Sequence, residues 1–122
     1  MYKPSRAAIW TVSILLATVF VLVGWSKLAG PSALRWGERL AHWGYPVGSQ
    51  YVIGALEIFA GLGLLIPKLR RSAAATLIGM MIGAMCTHIV NAEYQRLIPP
   101  LVLGALALVL IFDRPRTKSR AV

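Results

Sequence analysis

The chain has 122 residues, of which 57% are hydrophobic and only 14% charged, and its formal net charge is +9. A soluble domain this small buries too little of its surface to hide so much apolar side chain, so the composition excludes a water-soluble globule and fits a bilayer as solvent. Nucleic acid is not an expected partner despite the positive charge, because the cations stand at the borders of apolar runs and no aromatic-interleaved patch or groove-reading motif accompanies them.

The first run, Ala7 to Trp25, carries no charge across 19 residues. At 1.5 Å per residue it reaches roughly 28 Å, about the thickness of the hydrocarbon layer. The stretch is longer than a signal-peptide core of about 7–15 residues and ends without a small-x-small cleavage site, so a retained anchor over about 7–28 is expected. Pro31 to Tyr45 follows, mixing Leu34, Trp36, Leu40 and Trp43 with Arg35, Glu38, Arg39 and His42. That mixture suits a short helix at the outer interface, where indole rings rest at headgroup level, and Gly37, Gly44 and Pro46 argue against another span.

Three more apolar runs predict spans at about 47–66, 73–92 and 97–112, with Glu57 the one charge in the first of them, and a basic tail follows at 113–122. Runs this long and unalternating read as helices rather than barrel strands, because lipid leaves no partner for unpaired backbone groups. The expected fold is therefore an all-α membrane protein: a bundle of four transmembrane helices with one interfacial segment between the first two. No internal repeat or linker divides it, so 1–122 reads as a single membrane domain.

Orientation follows from Lys and Arg. With four spans, Lys3, Arg6, Lys68, Arg70, Arg71, Arg114, Arg116, Lys118 and Arg120 share the side of the termini, and Lys27, Arg35, Arg39 and Arg96 the other. The bias places both termini in the cytoplasm of a prokaryotic plasma (inner) membrane. The tail Arg114 to Arg120 is expected to serve as a topogenic signal and to meet anionic lipid, so membrane lipids are expected partners.

Cys86 stands alone, so the chain can form no internal disulfide, exchange site or structural zinc knuckle. It reads as a small buried hydrophobe, and Met80, Met81 and Met85 read as helical core rather than soft-metal ligands. No metal site is expected, and no P-loop, dinucleotide fingerprint, nucleophile elbow or metalloprotease motif occurs.

Ionisable groups inside a membrane are costly and face the bundle interior. Lys27 ends the first span, Glu57 lies some 10 residues, or roughly 15 Å, into the second, and His88 is within about a turn of the outer end of the third. Gly54, Glu57 and Gly61 share one face; Gly79 and Gly83 form a small-xxx-small pair, predicting close helix approach at both. Ala84, His88, Asn91 and Gln95 share a stripe that is polar only toward the outer end, which adds Asn91 to the ligand-binding candidates Lys27, Glu57 and His88. Two accounts fit. In one, Lys27 and Glu57 pair to hold two helices together. In the other, the cluster lines a pocket for a lipid-soluble redox carrier, a Lys or His donating to a quinone carbonyl while Glu57 and His88 relay protons.

Through Gly24-Trp25-Ser26-Lys27-Leu28, Trp43-Gly44-Tyr45-Pro46, Gly54-Ala55-Leu56-Glu57-Ile58, Gly61 to Pro67 and Met80 to His88, the chain resembles the DoxX-like membrane proteins from Val21 to about Leu110. The resemblance implies a four-helix inner-membrane protein of a family that includes a subunit of an archaeal thiosulfate:quinone oxidoreductase. Other members are linked to oxidative-stress defence or to maturation of periplasmic redox enzymes. No flavin, haem or iron–sulfur ligand set is identifiable, so no cofactor beyond quinone is expected, and electrons would come from a partner subunit. At most the chain is then a quinone-linked oxidoreductase subunit. A non-catalytic structural or assembly subunit is the alternative reading, and a small-solute or lipid carrier a third, disfavoured because broken-helix pairs and an inverted repeat are missing.

Overall fold

The computed structural model of the protein describes residues 3–113. Its elements are α1 (Arg6–Ser26), α2 (Gly30–His42), α3 (Ser49–Gly63), α4 (Arg70–Val90), a 3-10 turn (Tyr94–Leu97) and α5 (Ile98–Ile111), with no strand among the described residues. Local chemistry sets the boundaries. The Ser5 hydroxyl accepts from the Ala8 N–H at 3.0 Å and caps α1. Pro31 in α2 and Pro99 and Pro100 in α5 sit in first turns, where a missing N–H costs nothing. The chain enters α3 through Gly48 at φ 89, a left-handed conformation that glycine adopts without strain.

Three segments are long and apolar enough to cross a membrane: Arg6–Ser26, Arg70–Val90, and Tyr94–Ile111, which joins the 3-10 turn to α5. The all-helical membrane architecture is as expected, but of the four expected spans the one at 47–66 is not matched by a helix of that length. α3 has 15 residues, roughly 22 Å of helix against a hydrocarbon layer of about 30 Å. It is short because Pro46 and Gly48 hold the chain in a turn before it, and Leu64 to Leu69 run through successive turns rather than continuing the helix. The basic tail expected to meet lipid lies outside the described residues.

The helices pack as two pairs, α1 with α3 and α4 with α5. Small residues make the first pair close: a Cβ placed on Gly24 would stand 2.6 Å from the Gly54 carbonyl oxygen, and one on Gly54 2.7 Å from that of Gly24. Such backbone approach is how membrane helices associate where lipid removes the hydrophobic drive. Gly61 sits two turns from Gly54 along the same stripe, against Phe20, so the face read around Glu57 is a packing face. The pairs close on each other at the end nearest the chain termini, around Ile9, Leu16, Leu64, Leu77 and Leu110. At the opposite end α2 lies on α3, with Gly37 against the Gln50 side chain.

Two sequence expectations fail. Gly79 and Gly83 do not form a close-packing face, since a Cβ on either meets nothing within 4 Å; both are exposed, Gly83 at the edge of a cavity and Gly79 outside it. Cys86 is exposed rather than buried, because it lies on the side of α4 away from Leu77 and Met81, which face the core.

At the terminal end the sequence also hid an ion pair. Arg70 is fully buried, stacks 4.3 Å from the Trp10 ring centroid, donates to the Leu64 carbonyl at 2.8 Å and pairs with Asp113 at 3.1 Å. It ties the α3–α4 turn to the end of α5. In the sequence Arg70 counts only toward the cations on the side of the termini.

Candidate functional site

Beneath α2 the two helix pairs part around a cavity of about 560 Å³. Phe20, Val23, Ile53 and Leu56 supply the α1–α3 wall, Met80, Met81, Gly83 and Ala84 the α4 wall, and Pro99, Pro100 and Leu103 the α5 wall. Trp36 and Leu40 of α2 and Trp43 just after it form the roof. The volume falls within the range of about 300–1,000 Å³ usual for small-molecule sites, and an apolar wall with a few convergent polar groups is their usual character.

Lys27 and Glu57 line this cavity, and Lys27 Nζ donates to Glu57 Oε1 at 2.8 Å. Both are almost completely buried, at 5% and 4% exposure. The pair follows from the fold: α1 and α3 run antiparallel, so Lys27 stands beside Gly54 and Glu57 beside Gly24, and the Lys stem crosses that close contact to bring its ammonium to the carboxylate. The ammonium also lies 4.1 Å from the Trp36 ring centroid, where the ring face attracts a cation, and the Trp36 N–H donates to the Ser26 hydroxyl. Arg39 stacks on the same ring at 4.7 Å. Glu57 Oε2 has no partner among the described residues.

His88 also lines the cavity but is not bonded to Glu57. Its Nδ1 lies 2.9 Å from Glu93 Oε1, and since a carboxylate only accepts, that nitrogen carries the proton toward Glu93. The Trp43 N–H donates to Glu93 Oε2 at 3.3 Å, and the Trp43 and His88 rings meet edge to face with centroids 5.3 Å apart. The bond from His88 holds the Glu93 carboxyl below the usual carboxylate range, against a smaller opposing push from desolvation and with further help from Trp43. Tyr45 and Thr87 hydroxyls bond alongside. Together these contacts fasten the end of α2 to the end of α4.

Asn91 takes no part. Its amide donates to the Thr87 carbonyl at 2.8 Å, finishing α4, and it does not line the cavity. Of the stripe read from Ala84 to Gln95, Ala84, His88 and Gln95 do line the cavity, Gln95 from the 3-10 turn because α4 ends at Val90 and Ala92 turns at φ 57. Glu93 was missed in the sequence, lying in no apolar run; its signal was a carboxylate five residues after an intramembrane His. The indoles of Trp36 and Trp43 are half-buried above the cavity.

The fold and site define an all-helical membrane protein with a largely apolar cavity and a buried charge pair in its wall. The chain belongs to the DoxX-like family, whose model matches residues 11–110. Neither a curated protein nor a solved structure matches it.

Proposed function

We propose that this DoxX-like protein is a subunit or accessory protein of a membrane redox system and binds a lipid-soluble quinone in the cavity beneath α2. The observation that carries the reading is the Lys27–Glu57 pair, set in the wall of an otherwise apolar cavity of 560 Å³. A quinone ring and the start of its tail need apolar walls and a donor for each carbonyl. The residues fit that need: Lys27 spends one N–H on Glu57 and keeps others, and the His88 Nε2 edge has no partner among the described residues. When bound, the quinone would take up two electrons and two protons, the electrons coming from a partner subunit.

The chain's own residues bind, orient and supply protons. Lys27 donates toward a carbonyl, with Trp36 holding the ammonium in place. Glu57 Oε2 is available to hold a proton for delivery. His88, oriented by Glu93, passes a proton between Nε2 and the loop outside the bundle. In the bilayer α3, borrowing the turns that flank it, serves as a fourth span. The termini then lie in the cytoplasm of the inner membrane and the cavity in its outer half. A reporter fused after Val122 should read cytoplasmic, and one inserted near Gly37 periplasmic.

A second reading, a structural or assembly subunit, draws on the burial of the Lys27–Glu57 pair, which bridges α1 and α3 across the close Gly24–Gly54 approach. Purification in mild detergent, with extraction of quinones and mass spectrometry of co-purifying proteins, separates the two. Quinone near one per chain supports the redox reading; a stoichiometric partner without quinone supports the structural one.

A further inference from the structure

The parting of α3 from α4 runs in one direction. The two helices are antiparallel and joined at the terminal end, where a Cβ on Gly63 would lie 3.1 Å from the Ala73 Cβ. Two turns away along each helix, roughly 10 Å toward α2, Leu56 and Met80 stand on the same two faces, and both line the cavity. Almost one turn further along α4, a Cβ on Gly83 meets nothing within 4 Å. Gly83 and Leu56 both line the cavity, and both are exposed on the flank of the bundle. The cleft between them therefore joins the cavity to the outside. The Tyr45–Thr87 bond closes it at the α2 end, and the Gly63–Ala73 contact closes it at the other. The side chains flanking the opening, Val52, Phe59 and Ile82, are apolar and exposed, so the opening faces lipid rather than water. On the opposite flank Val23 and Leu103 are half-buried and Pro100 is buried.

We infer that this cleft is a side entrance through which the cavity takes its ligand from the lipid phase, kept open by the missing side chain at Gly83. The inference rests on the quinone-site reading for its ligand but not for its geometry. Gly83→Phe places a ring in the cleft at a position with free space and no left-handed backbone, so the helix tolerates it. Gly79→Phe adds the same ring one turn away, also in open space, outside the cavity lining.

Both variants and the wild type are reconstituted in phosphatidylcholine nanodiscs, and binding of decylubiquinone is followed by stopped-flow quenching of tryptophan. Gly83→Phe should slow binding and release together by about tenfold or more, as gating of access does, whereas faster release would mean that the ring only occupies the cavity and would overturn the entrance; Gly79→Phe should match the wild type. Wild-type rates in Gly83→Phe overturn the entrance. A companion measurement needs no quinone. In a Trp10→Phe/Trp25→Phe background, phosphatidylcholine brominated on its acyl chains should quench Trp36 and Trp43, and Gly83→Phe should weaken that quenching. Equal quenching with and without the phenyl ring overturns the entrance, whereas absence of saturable decylubiquinone binding by the wild type overturns the quinone reading.

Discussion

Removing Lys27 alone should unfold the protein far more readily than removing Lys27 and Glu57 together. In Lys27→Met the Glu57 carboxylate stays in a site 4% exposed and loses its 2.8 Å donor. A buried charge stripped of its partner costs about 3–5 kcal/mol, and the lost contact with the Trp36 ring adds about 0.5–2 kcal/mol. Glu57→Gln is milder, because an amide oxygen still accepts from the ammonium; the expected loss is about 1–3 kcal/mol. Lys27→Met/Glu57→Leu leaves no stranded charge and keeps similar volume, so most of the stability should return. Unfolding in detergent, followed by intrinsic fluorescence, reads the stabilities, and decylubiquinone titration reads the site. The double variant should fold and fail to bind, since apolar groups cannot donate to a carbonyl. Wild-type stability in Lys27→Met would refute the buried-pair argument, and a stable double variant that binds normally would end the pocket and leave a staple.

Gly54→Ala gains about 1 kcal/mol of helix propensity but drives a methyl into the Gly24 carbonyl and the Lys27 Cβ, where overpacking costs about 1–3 kcal/mol; because backbone cannot step aside, the net change in detergent unfolding should be destabilising. Arg70→Met strands Asp113 at 7% exposure and should cost about 3–5 kcal/mol, with Asp113→Asn nearer 1–3 kcal/mol. The Glu93 carboxyl titrates below its ordinary value in the folded protein, so its contribution is present above the ordinary carboxylate pKa and disappears as pH falls through the lowered one. Unfolding measured from pH 7 downward should therefore lose stability below about pH 4.5, and Glu93→Gln should flatten that part of the profile; an unchanged profile would dissociate Glu93 from the α2–α4 fastening.

The sequence made legible what depends on depth and on local spacing. Lys27 and Glu57 could be matched because both heights follow from counting residues along apolar runs, and Gly54 with Gly61 marked the face because small residues at helical spacing permit backbone contact. Gly79 and Gly83 obey the same spacing and lie in open space, since spacing says which residues share a face but not whether a neighbour reaches it. The angle at which α3 leaves α4 is a property of the whole bundle. Partner choice was hidden for a related reason: His88 and Glu93 meet only because α4 stops at Val90 and the chain doubles back through Ala92. Arg70 and Asp113 looked like solvated ends of runs, and only the fold places them together under Trp10.

The central claim, that the cavity beneath α2 holds a quinone, is tested most directly by photolabelling. Membranes containing the protein are irradiated with an azido-substituted ubiquinone analogue and the adducts mapped by mass spectrometry. The account predicts adducts on cavity-lining residues, among them Trp36, Leu56, Met80 and His88, that excess decylubiquinone suppresses. Adducts spread over lipid-facing residues such as Phe59 and Leu62, unaffected by the competitor, would contradict it.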